Sequence, residues 1–367
     1  MRLARTAGEL KPACWTYNSP AGRPLTHARK RLHFSVRYKN AGVDINAAGT
    51  LKKNIGRLAR STFNERVISD VGLFGSLFSL KGYKDPVLVA SCDGVGTKLT
   101  VARMVGRWDT VGIDIVNHCV NDILCQGARP LFFLDYLAAS RFPEGVVEQV
   151  VTGLARACRK AGCALVGGET AMMPGWYRTD DIDLVGFVVG VAERKKLVDP
   201  TRIRPGDVAI GLQSSGLHTN GYSLARKVLF SKARLKPGSK VKGLRWPLGA
   251  ELLQPHRSYL DEVYPVLGRL HGIAHITGGG FYENIERLLA NEVSVVIHKK
   301  AWRPKRIFRL IQELGSVPED EMYRTFNMGM GMVLFASPKS TPSLLSRIKN
   351  ARVIGKVVRG TFGVAVI

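Results

Sequence analysis

The run Asp93-Gly94-Val95-Gly96-Thr97-Lys98 has the residue types of a site for a metal-bound polyphosphate. Asp93 suits a hard cation such as Mg²⁺, Lys98 brings a point charge to phosphate, and Gly94 and Gly96 let backbone amides approach a ligand. A short apolar run precedes it, set off by Asp85-Pro86, and reads as a buried strand from Val87 to Ser91. Neither G-x-x-x-x-G-K-[ST] nor G-x-G-x-x-G occurs in the chain, which excludes a Walker A loop and a dinucleotide fingerprint.

Three further stretches carry polar chemistry. As a helix, Thr110 to Gln126 puts Ile113, Val116, Val120, Ile123 and Leu124 on one face and Asp114, Asn117, His118, Asn121 and Asp122 on the other. The polar face has no Lys, Arg or Glu, the usual decoration of a solvated surface, and its short carboxylates and amides suit a rigid cation site. Gly167-Gly168-Glu169 follows an expected strand, Ala164 to Val166, and offers a third carboxylate. Asp93, Asp122 and Glu169 together would hold Mg²⁺ against a triphosphate. Two glycine- and hydroxyl-rich loops, Ser214 to Tyr222 and His275 to Asn284, each open a helix and present free amides to an anion. His218 and Asn220 in the first could orient a substrate or exchange protons with it. His271 and His275 have i,i+4 spacing, but Gly272 and the apolar surroundings speak against a zinc helix.

The elements that must position these groups follow from periodicity. Val87 to Ser91, Leu131 to Ala139, Ala164 to Val166 and Leu184 to Val191 read as strands, with helices at Thr110 to Gln126 and Pro143 to Ala161. A break at Asp199-Pro200 and Pro205-Gly206-Asp207 places a domain boundary near residue 200. Beyond it come a strand at Val208 to Leu212, helices near Tyr222 to Phe230 and Trp302 to Leu314, and a strand-like run from Gly360 to Ile367. The fold class is α/β with mixed sheets, in a basic extension (1–37) and two domains, 38–200 and 201–367.

The 367 residues are 45% apolar, as in a soluble globular protein, and no apolar run approaches membrane-spanning length. Six cysteines without a C-x-x-C pair read as reduced, mostly buried thiols of an intracellular protein. The net charge of +25 suits an anionic partner, yet the excess is spread along the chain, including Arg226 to Arg245 and Lys299 to Arg309. Scattered aromatics and the lack of a recognition motif argue against specific nucleic-acid binding. Residues 1–37 are Arg-rich with a single acid, Glu9, and read as disordered or loosely attached. Such a segment is either an organelle transit peptide or the product of a wrong start codon; otherwise the protein is expected in the cytoplasm.

The segments DGVGTKL, VNDILCQGARPLFFLDY, GCALVGGETAMMPG, SSGLHTNGYSLARK, HITGGGFYENI and MYRTFNMGMGM, in this order, closely resemble the phosphoribosylformylglycinamidine cyclo-ligase (AIR synthetase) family from about Tyr38 onward. The resemblance implies a homodimer of two-domain subunits whose N-terminal domains join sheets, with ATP-dependent imidazole ring closure on formylglycinamidine ribonucleotide in a groove between domains. Carried over by motif, Asp93, Gly94, Gly96, Thr97 and Lys98 would serve ATP and its metal, with Gly72 and Gly75 in a further nucleotide loop. Lys98, Asp122, His218, Asn220 and His275 would be catalytic, Asp93, Asp122 and Glu169 metal-binding, and Gly278, Gly279, Gly280 and Asn284 substrate-binding. The chain departs from the family pattern at Gly56, Leu73, Ser76 and Met172. A superfamily kinase or a selenophosphate synthetase-like enzyme is the alternative, though it should lack the paired SSGLHTNGY and HITGGGFYEN loops; a basic nucleic-acid-binding protein is the remote one.

Overall fold

The computed structural model describes residues 45–360 and 363–367, of which 45–50 by backbone alone; the basic extension 1–37 and its targeting role lie outside them. The first unit runs α1 (Ile45–Arg60), β1 (Pro86–Gly94), α2 (Lys98–Val105), α3 (Asp109–Cys125), β2 (Arg129–Ala139), α4 (Val146–Ala161), β3 (Ala164–Met172) and β4 (Ile182–Glu193). Its four strands form a sheet in the order β1-β4-β2-β3. All neighbours are antiparallel except β2 and β3, which α4 joins as a parallel crossover.

Val147, Val150, Val151, Leu154 and Cys158 recur at helical spacing along α4 and are buried against α3 and the sheet. Left-handed Gly162 closes the helix, its amide donating to Arg159. Gly112 and Gly153 let α3 and α4 touch backbone to backbone: a Cβ at Gly112 would lie 2.2 Å from the Val150 carbonyl oxygen, and one at Gly153 2.0 Å from that of Asp109.

The second unit comprises β5 (Val208–Gln213), α5 (Tyr222–Arg226) with a π-helical turn at Lys227–Lys232, α6 (Leu248–Leu252), α7 (Leu260–Val263), β6 (Leu270–His275), α8 (Gly280–Glu286), β7 (Val293–Ile297), α9 (Arg306–Gly315), α10 (Glu319–Thr325), β8 (Met330–Ala336), α11 (Thr341–Arg347), β9 (Arg352–Arg359) and β10 (Gly363–Val366). Its sheet has the order β10-β7-β9-β5-β8-β6. Among the described residues no helix is long and apolar enough to cross a membrane.

Several sequence expectations are corrected. Gly167-Gly168-Glu169 does not follow the strand but belongs to it, because residues 167–172 continue β3 paired with β2, and the ladder outweighs the weak strand preference of glycine. β1 likewise continues through Asp93 and Gly94, leaving a shorter turn before α2. The helix expected from Trp302 starts at Arg306, past Pro304, while the Trp302 indole donates to the Met328 carbonyl at 2.8 Å. His271 and His275, for which the sequence already speaks against a zinc helix, lie on strand β6, where His271 bonds Asp207 at 2.7 Å.

The seam between the units lies on the polar face of α3, which the sequence suggested as a cation site. Most of that face instead clasps the backbone of residues 256–259. Asp114 accepts from the His256 amide at 2.6 Å, and Asn117 donates to the His256 carbonyl at 2.6 Å. Asn121 accepts from the Tyr259 amide at 3.0 Å and donates to the Arg257 carbonyl at 2.8 Å. Short side chains at i, i+3 and i+7 thus pair an irregular segment as a neighbouring strand would.

Candidate active site

The two stripes of α3 diverge in role. On the adjoining stripe, Asp122 faces a cleft of about 360 Å³ lined by Ser91, Asp93, Asp122, His275, Thr277 and Arg287 among others, with His118 buried behind it. β1 delivers Asp93, α3 delivers Asp122, and the end of β6 delivers His275. The cleft therefore straddles the seam, and its two halves come from different sheets.

An unbroken hydrogen-bond chain joins two carboxylates here. Asp122 Oδ1 meets His275 Nδ1 at 2.7 Å, and His275 Nε2 meets His256 Nε2 at 3.0 Å. His256 Nδ1 reaches Thr219 Oγ1 at 3.5 Å, Thr219 meets His118 Nδ1 at 2.7 Å, and His118 Nε2 meets Asp93 Oδ2 at 2.7 Å. Asp122 Oδ2 also lies 3.6 Å from His118 Nε2 and accepts from the Ser91 hydroxyl at 3.2 Å.

Proton counting constrains this chain. Five links between two ionised carboxylates need five protons, whereas three neutral imidazoles and one hydroxyl bring four. With all five links closed, one imidazole carries both its protons. Burial lowers the basicity of His118, but Asp93, Asp122 and Asp114 outweigh it and hold its pKa above the ordinary value. For His275 burial prevails over the bond to Asp122, and its pKa falls. His256 falls well below the usual range through burial and the neighbouring His218 and His275. Burial raises Asp93 and Asp122, yet their histidine partners leave both below the ordinary carboxylate value. These directions make His118 the favoured bearer of the extra proton, and shifting each bond along the chain would deliver it to His275.

The sequence-assigned residues divide into those the fold brings together and those it does not. Asp93, Asp122, His275 and Asn284 line the cleft. The Asn284 amide donates to the carbonyls of Gly278 and Gly280, so it shapes the Gly278-Gly279-Gly280 turn. Asn220 faces that turn, its Oδ1 3.4 Å from where a Cβ on Gly278 would sit, and donates to Thr219 at 3.4 Å. Gly94 ends β1, Gly96 is in the left-handed region with open space around it, and Thr97 meets Ser223 across the seam at 3.2 Å.

Lys98, His218, Glu169, Gly72 and Gly75 are not where the sequence put them. The Lys98 ammonium is fully buried 2.8 Å from Asp114 Oδ2, as an ion pair, and donates to the carbonyls of His218 and Gln254. Burial lowers the Lys98 pKa and raises that of Asp114. Its charge and donors are thus engaged inside the seam, away from the cleft. His218 is buried, stacked 3.9 Å on the ring of His256, and accepts the Ser215 amide at 3.2 Å, so it supports the chain from behind. Glu169 pairs with Tyr136 three strands from β1, on the sheet face opposite Asp93, about 14 Å away by strand spacing. A three-carboxylate site within one chain is therefore not built. Gly72 and Gly75 lie near that far edge, where Ser76 donates to the Val166 carbonyl at 2.7 Å.

Sequence reasoning passed over His256, Thr219, Ser91 and Arg287 and gave His118 no role. His118 was visible on the polar stripe. His256 lies in no periodic element or glycine turn, and only the fold reveals it.

The donor set can be tested against Mg²⁺. Both carboxylates converge on one His118 nitrogen, Asp93 stays partly open to the cleft, and the Ser91 hydroxyl adjoins Asp122, an oxygen set that fits a hard cation. The buried trio His218, His256 and His275 offers nitrogens within 4.8 Å, but the stacking of His218 on His256 keeps their ring planes from meeting at one ion.

Comparison with known proteins gives the family. Residues 79–192 match the AIR synthase related protein N-terminal domain, and residues 204–367 match its C-terminal domain. The chain is 49% identical over 332 residues to a phosphoribosylformylglycinamidine cyclo-ligase of Geotalea daltonii, covering 88% of this chain and 95% of that protein. It is 50% identical over 335 residues to the one of Caldicellulosiruptor bescii, covering 89% and 98%. Among solved structures it resembles thiamine-monophosphate kinase of Stenotrophomonas maltophilia (TM-score 0.63, 17% identity, 84% and 94% covered). It also resembles E. coli HypE, a hydrogenase maturation protein (TM-score 0.60, 17% identity, 86% and 92% covered). At that identity these structures share the fold alone.

Proposed function

The chain belongs to the AIR synthase related family, and from that membership we propose that it is a phosphoribosylformylglycinamidine cyclo-ligase. It closes the imidazole ring of aminoimidazole ribonucleotide from formylglycinamidine ribonucleotide, with ATP going to ADP and phosphate, in purine biosynthesis. The observation that carries this is near half identity along almost the whole of cyclo-ligases from two organisms. A substrate of the cell interior makes the cytoplasm its place of work.

In this reading the formyl oxygen takes the γ-phosphoryl of ATP, a substrate nitrogen attacks the formyl carbon, and the carbon–oxygen bond breaks to release phosphate. The attacking nitrogen must shed a proton, and the departing phosphate is best stabilised by one. The chain from His118 to His275 can do both in turn. It releases its extra proton at the cleft end and recovers one from the nitrogen, returning to five protons. Asp93 and Asp122 would hold Mg²⁺, which offsets charge on the transferring phosphoryl. The Gly278-Gly279-Gly280 turn, Asn220 and Arg287 border the space for the phosphorylated ribose.

A homodimer is part of the proposal. The sheet face away from α3 and α4 presents Leu88 at 55% and Phe187 at 41% exposure, an apolar surface suited to a second copy.

The test is ATP-dependent formation of aminoimidazole ribonucleotide with ADP followed in parallel. Equal amounts of both, abolished by Asp122→Asn, are expected. ADP without imidazole would assign the chain to a kinase instead.

A further inference from the structure

Two basic runs distant in sequence become one surface in the fold. Residues 226–245 hold eight Lys and Arg, residues 299–309 hold six, and neither run contains an acid. α9 packs on the π-helical turn at Lys227–Lys232, and the Arg306 side chain lies 3.2 Å from where a Cβ on Gly243 would sit. Of the described residues in these two runs, ion pairs engage only Lys299, with Glu319, and Arg306, with Glu313. Glu251 lies close enough to Lys305 and Arg245 to offset part of their charge, and the remaining cations of the two runs have no ion-pair partner among the described residues.

Two apolar features lie within it. Trp246 is 37% exposed, and the Arg245 guanidinium sits over its ring 4.6 Å from the centroid. Beside α9 a cleft of about 520 Å³ is walled by Leu224, Val228 and Val317, with Lys227 and Lys232 among its lining residues. Neither feature shares a residue with the cleft of Asp93, Asp122 and His275.

We propose that this face of the second unit binds single-stranded nucleic acid without sequence preference. Spread cations follow a phosphate backbone, the Arg245–Trp246 plate gives a base a stacking partner, and the cleft has the size and apolar walls to receive another. A duplex hides its base faces, and a mononucleotide would neutralise only a small part of so many charges. The sequence showed the runs as dispersed; the packing of α9 on the turn after α5 gathers them.

The experiment uses the full chain and a fluorescein-labelled 12-nucleotide poly(U) RNA, read by anisotropy. With about five phosphates engaged, affinity should fall on the order of 100-fold between 50 and 200 mM salt. Lys240→Glu, Lys242→Glu and Arg303→Glu, all exposed, should together weaken binding tenfold or more. An equal charge reversal elsewhere, at exposed Lys160, Lys195 and Lys196, should weaken it less than threefold. Trp246→Ala should cost several-fold while leaving the salt slope unchanged. Equal loss in both triple variants, inorganic polyphosphate of matched charge binding as tightly as RNA, or no binding at 50 mM salt would each overturn the proposal. Ring closure should be unaltered in these variants, so the result is independent of the catalytic assignment.

Discussion

Lys98 separates a structural reading from a phosphate-binding one, and Lys98→Met distinguishes them quantitatively. Methionine keeps much of the side-chain volume but leaves the fully buried Asp114 without its cation, and the carbonyls of His218 and Gln254 without a donor. Removing one partner of a buried pair costs about 3–5 kcal/mol. That is a large share of the stability of an ordinary domain. The double variant with Asp114→Asn keeps an oxygen to accept the His256 amide and removes the orphaned charge. It should recover at least half of the loss. Urea unfolding followed by tryptophan fluorescence reads the stability, and equilibrium dialysis below the transition reads ATP affinity. We expect the single variant to lose stability and keep ATP affinity within about threefold. Undiminished stability with abolished ATP binding would refute the reasoning and return Lys98 to the phosphates.

Three other outcomes follow from the same geometry. His256→Ala interrupts the chain between His275 and Thr219, so kcat should fall roughly 100-fold with the KM for ATP little changed; a wild-type kcat in stopped-flow assays would remove the chain from catalysis. In metal-free protein, His218, His256 and His275 have folded-state pKa values below the ordinary one, so the unfolded state binds more protons once pH drops below about 6.5. Stability should therefore fall with falling pH, by at most about 4 kcal/mol per pH unit if all three stay neutral in the fold. His118, raised, works in the opposite sense: its contribution is full below the unfolded pKa and fades as pH rises through the folded one. Urea midpoints independent of pH between 7 and 5.5 would contradict this. Phe187→Glu puts a charge on the exposed sheet face and should yield a monomer by light scattering; a persistent dimer would locate the interface elsewhere.

Periodicity made the fold legible where one face of an element is apolar, as in α3, α4, β2 and β4. It failed where long-range pairing decides. The sequence ended the strand at Val166, before Gly167 and Gly168, because glycine weakens a strand, yet β2 supplies a ladder that no local pattern announces. The polar stripe of α3 was read correctly as something other than solvated surface, but its partner was not. Residues 256–259 are gripped through their backbone, so their side-chain types carry no signal of the contact. Lys98 was misplaced for a related reason. A lysine after a glycine turn suggests phosphate unless a buried Asp114 is known to lie beside it.

The docking of the units and the chemistry of the cleft are linked by α3. Asp114, Asn117 and Asn121 fix the segment that carries His256, while one stripe over on the same helix Asp122 lines the cleft and His118 lies buried behind it. His256 is held at its amide by Asp114 and at its ring by His275, so its position answers to both stripes. A rigid helix keeps the stripes in fixed relation. The 2.7 Å bond from Asp122 on α3 to His275 on β6 joins the two units, and it exists only while the backbone clasp holds. Loosening the seam would part the proton chain before it disturbed either sheet. Polar residues at this junction thus serve stability and, in the proposed mechanism, catalysis together, which is why a face without lysine, arginine or glutamate stood out in the sequence before any partner was known.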